Sequence, residues 1–171
     1  MKYKQHKQYR LPYYNYASSG LYFVTICSYN RNNIFSEIEN GETQLSSIGK
    51  YILECLNNLP MKLPYVFLDE YVIMPNHIHV IFVIDNPEEE ISIKEKRFQP
   101  EKRSLSIVVR NFKSSVTLLA RQHSPETKIW QARFYDRIIR NEKELQAIRT
   151  YIQNNPLHWE QDRNNAENLM M

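Results

Sequence analysis

The segment from Tyr65 to Ile84 does most to limit what this chain can fold into. Tyr65 to Met74 reads YVFLDEYVIM and His77 to Ile84 reads HIHVIFVI, two strings rich in β-branched and aromatic residues. Only Pro75 and Asn76, a turn-forming pair, stand between them. Two strands joined so tightly run antiparallel as a hairpin. The other elements are read around it. Leu21 to Tyr29 (LYFVTICSY), just after Gly20, is a strand. Leu45 to Leu59 places Leu45, Ile48, Ile52, Cys55, Leu56 and Leu59 at helical spacing, with Pro60 just beyond. Asn86 to Arg103 is polar, dense in charge and without periodicity, the pattern of a mobile loop. Leu105 to Ala120 is a second helix with Ser104 as N-cap, and Leu105, Val108, Val109, Phe112, Val116 and Leu119 on its apolar side.

Ile129 to Arg140 reads as a strand. Asn141 then caps a last helix, Glu144 completes an N-x-x-E capping pattern, and Pro156 stops the helix near Asn155. The polar tail from Glu160 to Met171 is expected to fray. The first six elements give the βαββαβ order of a ferredoxin-like α/β (α+β) fold, an antiparallel sheet with helices on one face. One helix is appended at its C-terminal end. There is no internal repeat, and 171 residues fit one domain.

Net charge is only +3, so distribution carries more information than the total. Lys2, Lys4, Lys7 and Arg10 form one basic group, Lys94, Lys96, Arg97, Lys102 and Arg103 a second, and Arg133, Arg137 and Arg140 a third. Each can be read as solvated surface. The 12 tyrosines tilt the balance towards single-stranded nucleic acid, whose bases stack on aromatic rings beside cations. Cys27 and Cys55 lack metal-ligand spacing and read as small buried hydrophobes of a reduced, cytoplasmic protein. The basic N-terminus lacks the apolar core of a signal peptide, and no apolar run reaches the length of a membrane span.

His77 and His79 carry the first hint of chemistry. Alternate residues of a strand share a face, so two imidazoles a residue apart can hold one divalent ion. Such pairs are often structural, but this one opens a strand straight after a turn, where a ligand can reach. Apolar Ile81 and Val83 follow on the same face. A histidine-triad reading fails because Ile81 occupies the third position, and there is no H-E-x-x-H on a helix. On the last helix, Tyr151 and Asn155 lie four residues apart and share a face, with Ile148 and Ile152 on the flank. Their plain reading is a boundary tyrosine and a helix-ending amide. Taken together with the histidines they read as a device. A tyrosine hydroxyl, with pKa near ~10, is a weak nucleophile at neutral pH. A phosphodiester resists attack because it is negative. An ion on two imidazoles and an amide oxygen addresses the second problem, and nearby cations favour the tyrosinate.

GLYFVTICSYNR, YVIMPNHIHVIF, NFKSSVT and WQARFYDRIIRNEKELQAIRTYIQNNPLHW make the sequence resemble the REP-associated tyrosine transposases, a branch of the single-tyrosine HUH transposases. The resemblance spans nearly the whole chain apart from the charged loop and the tail. It implies that Tyr151 is the nucleophile and that His77, His79 and Asn155 bind Mg²⁺ or Mn²⁺; relatives outside this branch carry Gln at the Asn155 position. It further implies a partner, single-stranded DNA with hairpin (REP-like) repeats, cut through a 5′-phosphotyrosine link that the freed 3′-hydroxyl can reverse. Arg10, Arg110, Lys113, Arg133, Arg137 and Arg140 are the candidate DNA contacts, with Lys113 expected to face phosphate and Phe112 to pack in the core. Relatives work as monomers or as homodimers that exchange the tyrosine helix, and both forms stay open here. The rival from another class is a domesticated hairpin-binding protein that no longer cuts.

Overall fold

The computed structural model describes residues 14–86 and 103–161. Strands are numbered in chain order: β1 (Gly20–Cys27), β2 (Ser36–Glu39), β3 (Glu42–Leu45), β4 (Val66–Ile73), β5 (His77–Ile84) and β6 (Tyr135–Ile139). Four of them form one sheet in the order β4-β5-β1-β6, antiparallel at every junction. This is the ferredoxin-like arrangement expected from the element order. The hairpin at its heart closes as read, with the Met74 N–H donating to the His77 carbonyl at 2.8 Å across Pro75-Asn76. The helices are α1 (Ser47–Asn57), α2 (Leu59–Lys62), α3 (Leu105–Arg121) and α4 (Glu142–Asn154). Among the described residues no helix is long and apolar enough to cross a membrane.

Strand alternation divides the interior in two. Ile78, Val80, Phe82 and Ile84 of β5 join Tyr22, Val24 and Ile26 of β1 against α1 and α3, where Ile52, Leu56, Val108, Phe112 and Val116 complete the main core. On the other face Ile81 meets Ile139 and the α4 residues Leu145, Ile148 and Ile152, with Leu21, Phe23 and Val72 at the margin. The expectation that Phe112 is core holds, since it is fully buried.

Several expectations need correction. The strand expected over Ile129 to Arg140 is regular only from Tyr135, while Trp130 makes an isolated bridge to Ser28. The indole of Trp130 donates to the Lys113 carbonyl, and the Lys113 ammonium draws off the carbonyls of Gln131 and Arg133. Those carbonyls therefore serve α3 and not a ladder. Leu45 ends β3, so the first helix starts later than read. Ser46 caps it, accepting from the Gly49 N–H at 3.0 Å. Gly49 is required there, because a Cβ would sit 2.1 Å from the Phe35 carbonyl oxygen. Pro60 lies in the first turn of α2, where its missing N–H costs nothing. The β2–β3 hairpin was not read at all. Pro156–Gln161 forms a 3₁₀ turn that takes in Glu160 and Gln161, the first two residues of the segment read as a fraying tail. Ser104 holds the N-cap position of α3 without a side-chain hydrogen bond. Apart from Asn86 and Arg103, the loop read over 86–103 lies outside the described residues, as do Arg10, Lys2, Lys4, Lys7 and the tail from 162.

Candidate active site

His77 and His79 project from β5 towards α4, beside Cys27 and Thr25 of β1. Both are buried. The turn residue Asn76 sets the first ring. Its amide nitrogen donates to the Arg31 carbonyl at 3.2 Å, which leaves Oδ1 facing His77 Nδ1 at 3.0 Å. An amide oxygen only accepts, so Nδ1 carries the proton and Nε2 of the neutral ring keeps its lone pair. The second ring is set by Thr25, whose hydroxyl lies 2.9 Å from His79 Nδ1. The two Nε2 atoms then face each other at 3.0 Å.

Helix α4 closes the site from above. Its N-terminus is fixed by Asn141, which accepts from the Glu144 N–H at 2.9 Å. Two turns on, Tyr151 places its hydroxyl 3.2 Å from His79 Nε2. Its ring stands edge-on to Phe23, 6.1 Å between centroids, and remains 45% exposed, a boundary residue as its spacing implied. Asn155 ends the helix with its side chain buried, and its Oδ1 has no hydrogen-bond partner. An unsatisfied buried amide oxygen costs about 1–3 kcal/mol, so the position calls for a donor or a cation. Thr25, His79, Arg137, Tyr151, Asn155 and His158 line one cleft of about 680 Å³. His77 stands directly behind His79. Among the described residues no three His, Cys, Asp or Glu side chains cluster as ligands, so any ion here relies on two imidazoles and an amide.

The five candidate DNA contacts among the described residues do not converge. Arg137 lines the tyrosine cleft, and its guanidinium pairs with Glu144 at 2.5 Å. The Arg140 N–H, and after it Arg137, hold the Glu144 carboxyl below its usual range. Arg110 and Lys113 lie on α3 across the sheet, in a second cleft of about 550 Å³ that also includes Arg121 and Phe134. Lys113 is tied down there, donating to the Gln131 carbonyl at 2.7 Å, and burial pushes its ammonium down to about 8. Arg133 and Arg140 are exposed on either side of β6. The sequence reading missed Thr25 and Asn76, which orient the rings, and Trp159, whose ring centroid lies 6.1 Å from that of His77. For Asn76 a signal existed, an amide directly before the first histidine.

Comparison with known proteins bears on the fold. A Haemophilus influenzae protein described only as uncharacterized is 42% identical over 160 residues, covering 90% of this chain and 89% of its own. A second Haemophilus influenzae protein, named as a candidate REP-associated tyrosine transposase, is 26% identical over 144 residues, covering 84% of this chain and 73% of its own. In sequence and in fold, then, the chain is similar to REP-associated tyrosine transposases. A solved REP-associated tyrosine transposase bound to a REP hairpin shares the fold, with a TM-score of 0.60 over 88% of this chain and 74% of that one, at 20% identity. No protein-family model matches the sequence. The fold brings His77, His79, Tyr151 and Asn155 together between β5 and α4.

Proposed function

We propose that this protein is a transposase that cuts and rejoins single-stranded DNA beside hairpin repeats, with Tyr151 as nucleophile and Mg²⁺ or Mn²⁺ held by His77, His79 and Asn155. The observation that carries this reading is the Tyr151 hydroxyl 3.2 Å from His79 Nε2, at the rim of a cleft that also contains the unpartnered Asn155 oxygen. The donor set fits a divalent ion. Two adjacent ligands of an octahedral ion, each about 2.1 Å away, stand roughly 3.0 Å apart, and the two Nε2 atoms are separated by 3.0 Å. When bound, the ion supplies Lewis-acid polarisation of the phosphoryl oxygen. The tyrosine oxygen forms a bond to phosphorus and the bond to the 3′-oxygen breaks. The phenol proton passes to water at the open side of the cleft, and the departing 3′-oxygen takes a proton from water to leave as a 3′-hydroxyl. The 5′-phosphate stays on Tyr151, and attack by a 3′-hydroxyl reverses the step.

DNA with hairpin repeats is the proposed partner, supported by the hairpin in the solved relative. Arg137 is the cation placed to meet phosphate beside the tyrosine. Arg110 and Lys113, and Arg10, Arg133 and Arg140, are proposed as contacts further along the DNA. The test uses hairpin DNA labelled on the 3′ side of the cut, run on a denaturing gel. Tyr151→Phe removes only the nucleophilic oxygen, so nicking and the labelled adduct fall by roughly a thousandfold or more while hairpin binding persists. Tyr135→Phe still forms the adduct. An adduct with Tyr151→Phe overturns the assignment, and a wild-type protein that binds hairpins without cutting points to a binding protein.

A further inference from the structure

Strand β4 carries a defect directly under the tyrosine helix. Leu68 pairs with Phe82 and Tyr71 with Val80, so Asp69 and Glu70 together oppose the single residue Ile81. This is a β-bulge. In an unbroken strand Leu68 and Tyr71, three positions apart, would point to opposite faces. Here both pack in the core with α1 and α3. The two residues between them are turned towards α4, and each finds a partner there. Asp69 receives a two-pronged bond from Arg149, Nε to Oδ1 at 2.7 Å and Nη2 to Oδ2 at 2.5 Å. Glu70 accepts from Gln153 Nε2 at 2.9 Å. Arg149 and Gln153 are one helical turn apart, and Tyr151 stands between them in sequence.

We propose that the Asp69–Glu70 bulge is the positioning device of the nucleophile, a polar clasp on Arg149 and Gln153 that fixes how far α4 is rotated and so where the Tyr151 oxygen lies. The proposal rests on the reading of Tyr151 as nucleophile. The apolar seat of α4 is small and made of interchangeable aliphatic contacts, which resist lifting better than turning. Turning is what matters for the reaction. A tyrosine oxygen about 9 Å from a helix axis moves by roughly 1.5 Å for a rotation of about 10°, and a 1 Å misplacement is enough to cost about a hundredfold in rate. A planar guanidinium held at two points on one carboxylate resists that rotation better than a single bond does. The Arg149–Asp69 pair is half-buried, so water competes with it less than with a surface pair.

The test is a double-mutant cycle of Arg149→Leu, Asp69→Leu and the double variant, read by amide hydrogen exchange and by single-turnover cleavage of saturating hairpin DNA. With the clasp open, amides of α4 exchange roughly tenfold faster or more while those of β1 and β5 keep wild-type protection. The cleavage rate falls by roughly tenfold to a hundredfold with hairpin affinity within about twofold. The double variant is no worse than either single variant, because one interaction has been removed in all three. Unchanged α4 protection in Arg149→Leu overturns the proposal. So do additive losses in the double variant, or a loss of protection shared equally by β1 and β5. If the wild-type protein does not cleave, the nucleophile reading fails, and the exchange measurement alone decides whether the clasp exists.

Discussion

The two faces of the sheet are built by different means. Against α1 and α3 the contact is dry and interlocking, with Tyr22, Phe82, Phe112 and Ile52 fully buried in one continuous core. Against α4 the apolar part shrinks to Ile81, Ile139, Leu145, Ile148 and Ile152, and polar groups take over: the histidines, the Asn155 amide and the carboxylates of the bulge. A dry face holds the fold together but offers nothing to a phosphate. A polar face can host chemistry, yet each of its groups must be satisfied or aimed. The larger apolar core thus lies on one side of β5 and the candidate chemistry on the other, so the two can be perturbed separately.

The largest expected effect tests the dry side. Phe112→Ala removes a fully buried ring and costs about 3–5 kcal/mol in chemical denaturation. A cost below about 1 kcal/mol would mean that the division of labour is wrong. Next in size is the effect of an ion on the polar side. At a hundredfold excess of Mn²⁺ over its dissociation constant, the wild-type protein gains about 2.7 kcal/mol and His77→Ala gains none. Equal gains in thermal melts of the two proteins would remove His77 from the ligand set. The smallest effect sharpens the account of α4 itself. Asn141→Ala deletes the cap bond to the Glu144 N–H and destabilises by about 1 kcal/mol. Loss of amide protection should stay within the first turn of α4; spread to β5 would show that the two faces are coupled.

The sheet and its long helices were legible because their signals are local. HIHVIFVI and YVFLDEYVIM declare strands, Asn141 with Glu144 declares a helix start, and Tyr151 with Asn155 share a face by spacing alone. The β2–β3 hairpin was legible too, although unread. Asn40 and Gly41 have φ of 53° and 77°, the left-handed pair of a tight hairpin turn, and Asn-Gly is its usual sequence. Trp130 to Phe134 misled because the segment has strand-like composition, while its carbonyls are claimed by Lys113, a residue distant in sequence. The bulge at Asp69 and Glu70 was hidden for a similar reason. Nothing in LDEY tells which two residues will oppose Ile81. The orientation of His77 by Asn76 and Arg31 is likewise a tertiary fact, although the Asn-His neighbours were in view.

The alternation along β5 makes this strand unusually intolerant of errors in length. Its eight residues carry two interleaved messages, Ile78, Val80, Phe82 and Ile84 for the core and His77, His79 and Ile81 for the other side. Losing one residue from the Pro75-Asn76 turn, or gaining one, would exchange the messages, driving both imidazoles into hydrocarbon and four large aliphatic and aromatic groups towards the cleft. Substitutions can be absorbed one side at a time, whereas insertions and deletions in this turn strike both at once. Descendants of this gene should therefore exchange the even-numbered core residues of β5 for apolar ones of similar volume more readily than they change the length of its turn.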